Sequence, residues 1–393
     1  MISVKQAINI VTDNLKPLGK TETKQLGTAT NYSLFEDIIS PIDMPPFQQS
    51  AMDGYAVNLH ENLTYTIKDE IKAGDHHLSV LHKGEGVRIF TGAAVPDSAN
   101  AVIIQEKVKP TEAGIQIDTM PQLNDNIRPM GEQVKKGQVA LKAGTNLNTA
   151  AIGFLASLGI SEVKVNQKPS VAIIVTGNEL VQPGQPLPFG KIYESNAIML
   201  DATLTKLGFN DVSIYKIEDN YSATISVLSK ALNNHDLIIV SGGISVGDYD
   251  FVGRALNELK VNQLFYKVKQ KPGKPMFFGK FQETVVFALP GNPAAALSCF
   301  YMYVYKALHI LSGHNNFQLP KVEAKCQTSF IKKGGRAQFL KAQYDTGNVH
   351  ILEGQNSSML HTFALANALV YVPEEKMKIK IDEPVATILL PIN

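Results

Sequence analysis

The residues with the most chemical potential lie between His235 and Ala296. Asp236 to Val240 is a short apolar run, and Ser241-Gly242-Gly243 follows it directly. Glycines let the backbone approach a ligand, and free N–H groups at a helix start attract negative charge, so this is the shape of a phosphate cradle. Asp248 and Asp250 end the loop, where a divalent cation could join phosphates. Lys271 and Lys274 follow in a proline-stiffened turn. Leu289-Pro290-Gly291-Asn292-Pro293 then opens a long apolar helix; Pro293 suits a first turn, and the backbone before it is a second potential anion site. Each feature alone also fits an ordinary strand-to-helix turn with solvated charges.

The elements that must position these residues alternate between strand and helix from Pro169 to about Leu311. Strands are predicted at Val171 to Val175, Val212 to Ile217, Leu237 to Val240 and Leu264 to Val268. Helices are predicted after Ser195, after Ser222 and from Phe251 to Leu259. This is a doubly wound α/β domain with a parallel sheet. Thr176 to Glu179, Glu218 to Asn220 and Ser241 to Asp250 all follow strands, so all belong on the carboxyl edge, where such sheets bind ligands. Glu179, Asp219 and Asp250 can therefore converge. Three acids around a glycine loop suit Mg²⁺ and phosphate chemistry better than paired-carboxylate hydrolysis.

A chain of 393 residues implies two to four domains. Formal charge is +1, from 37 basic and 36 acidic residues, which excludes a nucleic-acid or membrane-surface binder working by bulk charge. Two cysteines build neither a disulfide framework nor a zinc site, and no histidine spacing suits a metal. The N-terminus lacks a continuous apolar signal core, and Ala294 to Leu311 reads as a buried helix, so a cytoplasmic protein is expected. Val4 to Leu15 reads as an amphipathic helix, and Asn31 to Ile39 as a second short one. The expected domains are a discontinuous helical one (1–50 and 129–168, with Thr149 capping a helix), an inserted β-rich one (51–128), the α/β domain (169–318) and a C-terminal β-barrel (319–393).

PPFQQSAMDGYAV, IFTGAAVPDSANAVI, TGNEL, KIYESN, SGGISVGDYD, KPGKPMFFGK and LPGNPAAA occur in this order in one chain. The set closely resembles the molybdopterin molybdenumtransferase (MoeA) family, related to the E domains of gephyrin and of plant molybdenum-cofactor proteins, over nearly the whole length. The resemblance implies an elongated four-domain homodimer that takes adenylylated molybdopterin and molybdate, releases AMP and leaves molybdenum on the dithiolene, assisted by Mg²⁺. It also implies contact with a pterin adenylyltransferase and with molybdoenzyme-specific chaperones. Gly242, Gly243 and Ser245 would cradle phosphate; Glu179, Asp219 and Asp250 would hold Mg²⁺ or position water. By resemblance, Lys271, Lys274, Arg336 and Ser357 would bind molybdate, with Pro290 to Pro293 closing the pocket. Asp53 and Thr91 match family positions that matter for activity and would come from the partner subunit. Gln133, Asn178 and Ala295 depart from the pattern, where the family often has Asp, Asp and Ser. They leave open a degenerate paralogue or scaffold that binds the nucleotide without inserting metal. An adenylylating enzyme on the same α/β fold is a further alternative, against which the extra domains argue. The retained acids, lysines, Arg336 and Ser357 favour the enzyme.

Overall fold

The computed structural model describes residues 1–77, 79–218, 220–244, 251–314 and 318–391. The chain divides into two compact units, one comprising Met1–Glu22, Asn31–Ser33 and Val165–Asn393, the other Thr23–Thr30 and Leu34–Lys164.

The first unit is built on a six-stranded sheet in the spatial order Val212–Ile217, Val171–Thr176, Leu237–Ser241, Thr284–Leu289, Phe277–Phe281 and Asn262–Tyr266. The first four strands are parallel. Phe277–Phe281 runs against them and Asn262–Tyr266 reverses again, so the last two pairings are antiparallel and the sheet is mixed rather than fully parallel. The hairpin responsible turns at Gln282, which takes φ +54 without being glycine and so carries none of the usual turn signature. Every residue of Val171–Thr176 and of Leu237–Ser241 is buried, as expected for strands covered on both faces. Alternate side chains go to opposite layers. Val171, Ile173, Leu237 and Ile239 pack with Phe300, Val304 and Leu308, whereas Ala172, Ile174, Ile238 and Val240 pack with Leu228, Leu232, Val252 and Leu256.

The helix covering the first layer runs from Pro293 through a π-helical segment, Phe300–Val304, to Leu311. It is long and apolar enough to cross a membrane, but 89% of it is buried inside the protein, so it is a core helix. Val4, Ala7 and Val11 of the helix Val4–Asp13 join the same layer. Ser3 and Gln6 close a capping box at its start. Elsewhere the caps fall beside the predicted ones. Asn220 rather than Ser222 caps Tyr221–Asn234, and Asn148 rather than Thr149 caps Thr149–Ser157.

Downstream, Lys321–Cys326, Ala337–Asp345, Asn348–Ile351, Ala368–Val372 and Pro384–Leu389 pair in a closed ring, the expected barrel. Gln270–Lys271, from the α/β part, adds to its edge beside Ala337–Asp345.

The second unit contains a six-stranded sheet in the order Ala101–Ile104, Gly54–Val57, Glu85–Ile89, Thr64–Ile71, Gly114–Ile117 and Val108–Thr111. Gly54 lies in its interior, where a Cβ would collide with the Ile103 carbonyl. The helix predicted over Asn31 to Ile39 is absent. Asn31 takes φ +64 and Ile38–Ile39 form a strand with Val139–Leu141. Pro41, close behind, disfavours helical backbone there.

One polar contact anchors the central strand. Asp236, at its start, accepts from Lys20 Nζ (2.6 Å), Ser170 N (2.9 Å) and Ser170 Oγ (2.8 Å). Burial pushes its pKa up, but these three donors outweigh burial and hold it below the usual carboxylate value. A depressed native pKa stabilises above the unfolded pKa and is lost as pH falls through the native one. Asp236→Asn should therefore cost about 2 kcal/mol at neutral pH in urea denaturation. The wild-type advantage should fade below about pH 3.9, the unfolded value, and vanish once the pH drops under the native one.

Candidate active site

From Val171–Thr176 the chain steps outward to Val212–Ile217, then crosses back to Leu237–Ser241 on the other side. Such a reversal of strand order leaves a crevice at the carboxyl ends. A cavity of about 590 Å³ occupies it. Thr176 and Gly177 line it from the first strand, Ser241 to Ile244 from the crossing strand, and Pro290 to Pro293 from the strand beyond. Glu179, Gly242, Gly243, Pro290 and Pro293 of the expected site therefore share one cavity. Asp219, Ser245, Asp248 and Asp250 lie outside the described residues.

The glycine pair is dictated by space. Gly242 and Gly243 have φ +93 and +63, the left-handed region. A Cβ on Gly243 would stand 2.6 Å from Val252 Cγ2 and 2.8 Å from Thr176 Oγ1; one on Gly242 would stand 3.0 Å from the Thr176 carbonyl. Gly242 N donates to the Leu289 carbonyl at 3.3 Å, drawing the crossing strand's end to the next strand.

Two further residues shape the cavity without having been predicted. Glu194 is 2% exposed and accepts from Ala197 N (2.7 Å), capping Asn196–Lys206 where Ser195 makes no side-chain cap bond. Asn196 Nδ2 donates to Ser241 Oγ (2.8 Å) and to the Gly291 carbonyl (2.7 Å), tying two cavity walls together. A carbonyl can only accept, which fixes the orientation of the Asn196 amide. Thr176 Oγ1 and Asn196 Oδ1 are buried without a partner among the described residues, polar capacity left for a ligand. The signal for Glu194 and Asn196 was the KIYESN stretch, but Glu-Ser-Asn before a helix also reads as an ordinary cap.

A cationic rim adjoins the cavity. Lys271 and Lys274 are exposed on a turn whose buried support is Gln270. Gln270 Nε2 donates to the Gly273 carbonyl (3.0 Å), and its Oε1 accepts from Tyr303 Oη. Arg336 Nη1 donates to the Gln270 carbonyl at 3.2 Å, which holds Arg336 against the same turn. Pro275, next to Lys274, lines the cavity. Ser357 Oγ accepts from Asn292 Nδ2 (3.0 Å), and its carbonyl accepts from Ala295 N (3.2 Å), so Ser357 docks on the Pro290 to Pro293 turn. Ala295 itself is buried.

Asp53 and Thr91 form their own pair in the second unit. Thr91 N and Oγ1 each donate to Asp53 Oδ1 at 2.7 Å. The backbone bond first, then the side-chain one, lowers the Asp53 pKa, with Arg88 adding to the effect. No cluster of three His, Cys, Asp or Glu side chains suited to a metal occurs among the described residues. Mg²⁺ is usually held by one or two carboxylates plus substrate phosphates, and Glu179 beside the glycine cradle fits that pattern.

Gly243→Ala should lower stability by about 2 kcal/mol or more, from left-handed strain plus the clash with Val252. Gly291→Ala should cost less than about 0.5 kcal/mol, because its Cβ would meet only Gly242 Cα, at 3.6 Å. Chemical denaturation of both variants measures the contrast.

Comparison with known proteins agrees along the chain. Residues 2–159 match "MoeA N-terminal region (domain I and II)", 172–310 "Probable molybdopterin binding domain", and 323–390 "MoeA C-terminal region (domain IV)". The chain is 36% identical over 396 residues to a molybdopterin molybdenumtransferase of Haemophilus influenzae, covering 98% of each. It is 32% identical to one of Staphylococcus epidermidis, covering 95% of this chain and 91% of that one. The crystal structure of the molybdopterin biosynthesis moeA protein of Pyrococcus horikoshii superposes with a TM-score of 0.86 at 31% identity, over 99% of this chain and 100% of that one. With full-length similarity at this level, the chain belongs to the molybdopterin molybdenumtransferase family, MoeA.

Proposed function

We propose that this protein is a transferase of molybdenum-cofactor biosynthesis, which inserts molybdenum from molybdate into adenylylated molybdopterin and releases AMP. The observation that carries the reading is the junction of two anion-suited surfaces. The glycine cradle at Gly242 and Gly243 lines a cavity together with the adjoining Pro290 to Pro293 turn, on which Ser357 docks. The rim formed by Lys271, Lys274 and Arg336 lies alongside. The substrate offers the complementary pair, a phosphoanhydride and a small dianion.

Each part then has a task. Backbone N–H groups of Gly242 and Gly243, with Ser245, hold the phosphates. Lys271, Lys274, Arg336 and Ser357 gather molybdate by charge-assisted bonds. Glu179, with Asp219 and Asp250, would hold Mg²⁺, which when bound supplies charge neutralisation at the phosphate oxygens. Glu194 and Asn196 keep the walls in register through their bonds to Ala197, Ser241 and Gly291. Asp53 and Thr91 act from the partner subunit of a homodimer. Balanced charge and two unpaired, buried cysteines support a cytoplasmic setting. The family resemblance supports exchange of substrate and product with an adenylyltransferase and with molybdoenzyme chaperones.

Reconstitution with adenylylated molybdopterin, Mg²⁺ and molybdate should give molybdate-dependent AMP release with molybdenum on the pterin. Nucleotide binding with neither product would leave a scaffold instead. Arg336→Ala should raise KM for molybdate about tenfold or more, the worth of one charge-assisted bond. Asp53→Ala and Glu179→Ala should each be inactive alone. Mixed and allowed to exchange subunits, they should recover about a quarter of wild-type activity, since half the dimers then carry one intact site. No recovery on exchange would place Asp53 with its own chain's site.

A further inference from the structure

Lys341 is an unusual residue to find where it stands. It belongs to the barrel strand Ala337–Asp345 and is 4% exposed. Among the described residues no carboxylate pairs with it. Its Nζ instead donates to three carbonyls of a single loop: Gly354 at 2.8 Å, Met359 at 2.9 Å and Asn356 at 3.3 Å. An ammonium has three protons, and all three are used. Gln355 doubles the attachment. Its Oε1 accepts from Lys341 N (2.9 Å), and its Nε2 donates to the carbonyls of Lys341 (2.9 Å) and Leu352 (2.7 Å).

Burying a charge without a counter-charge is costly, and an apolar side chain would fill the space without that cost. What the ammonium supplies is convergence. It gathers three carbonyls that would otherwise repel one another and so imposes one shape on residues 354–359. The residue carried at the centre of that loop is Ser357, whose Oγ and carbonyl are docked on Asn292 and Ala295.

We infer that Lys341 is a positioning residue for the active site: it fixes the loop of residues 354–359 so that Ser357 meets Asn292 at the cavity wall. The inference rests on the reading of this cavity as the place where molybdate is handled. Lys341 lies behind Ser357 and acts through it.

The test uses the full-length protein and Lys341→Met, which keeps length and loses the charge. Amide hydrogen exchange in residues 354–360 should quicken about tenfold or more, while Ala337–Asp345 stays protected. KM for molybdate should rise about tenfold, with KM for adenylylated molybdopterin within about twofold. Placed on Ser357→Ala, Lys341→Met should add little, since the two act in series. Unchanged exchange, or a fall in kcat with both KM values intact, would overturn the inference; so would additivity with Ser357→Ala. Should Lys341→Met not fold, Lys341→Arg keeps the charge in a planar fork unsuited to three converging carbonyls. The same two readouts should then move in the same direction, and their failure to move would be equally decisive. Wild-type protein without molybdate-dependent AMP release would sink the functional reading, and the exchange data would still decide whether Lys341 holds the loop.

Discussion

Two strand ends approach so closely at Thr176 and Ser241 that the chain after Ser241 has no room for a side chain. Gly242 and Gly243 are the consequence: both backbones are left-handed, and Val252 and Thr176 fill the space a Cβ would need. The cavity depends on this approach. It opens because the connections leaving the two strands run to opposite sides at this point, and it stays narrow because glycine lets the loop fold inward. Asn196 and the Leu289 carbonyl then pin the loop's beginning from two other elements. The cavity is thus a product of backbone topology, and side chains mainly lock it.

The locking groups share a character. Glu194, Gln270 and Lys341 are polar or charged, nearly inaccessible, and each bonds backbone near the cavity, Glu194 at a helix start and the other two in a turn or loop. A buried polar group with every bond satisfied specifies one geometry where apolar packing would permit several. Lys332, buried in the barrel and bonded to the carbonyls of Pro373 and Glu374, repeats the device away from the site. Lys271, Lys274 and Arg336, by contrast, leave their charge exposed.

This division explains what the sequence could reveal. The glycine pair, the proline-bounded turns and the acid after Gly177 are local signals, each tied to a backbone conformation or a strand end, and they were legible together with the strand alternation. Family resemblance added Arg336 and Ser357, which in isolation look like surface turn residues. Glu194 and Asn196 were hidden because a helix start favours such residues anyway. Gln270 and Lys341 were hidden because their work is done across tens of residues and leaves no periodic trace. The antiparallel hairpin escaped for another reason. A run such as Val285 to Leu289 is uniformly apolar whichever way its neighbour runs, and the turn at Gln282 lacks glycine. The caps moved by a residue or two because Asn, Ser and Thr compete for one role within a few positions.

The two-residue strand Gln270–Lys271 has a mechanical meaning. It is α/β chain paired to the barrel, ending at the turn that bears both lysines, and Arg336 at the barrel's edge grips its carbonyl. The C-terminal barrel is therefore geared to the lysine turn and is no pendant that could swing open as a door. Any rotation of it would drag Lys271 along or unzip the pair, and would draw Ser357 off Asn292 on the adjoining Pro290 to Pro293 turn. Ile192 and Tyr193, exposed at the cavity wall, pair with no barrel strand among the described residues.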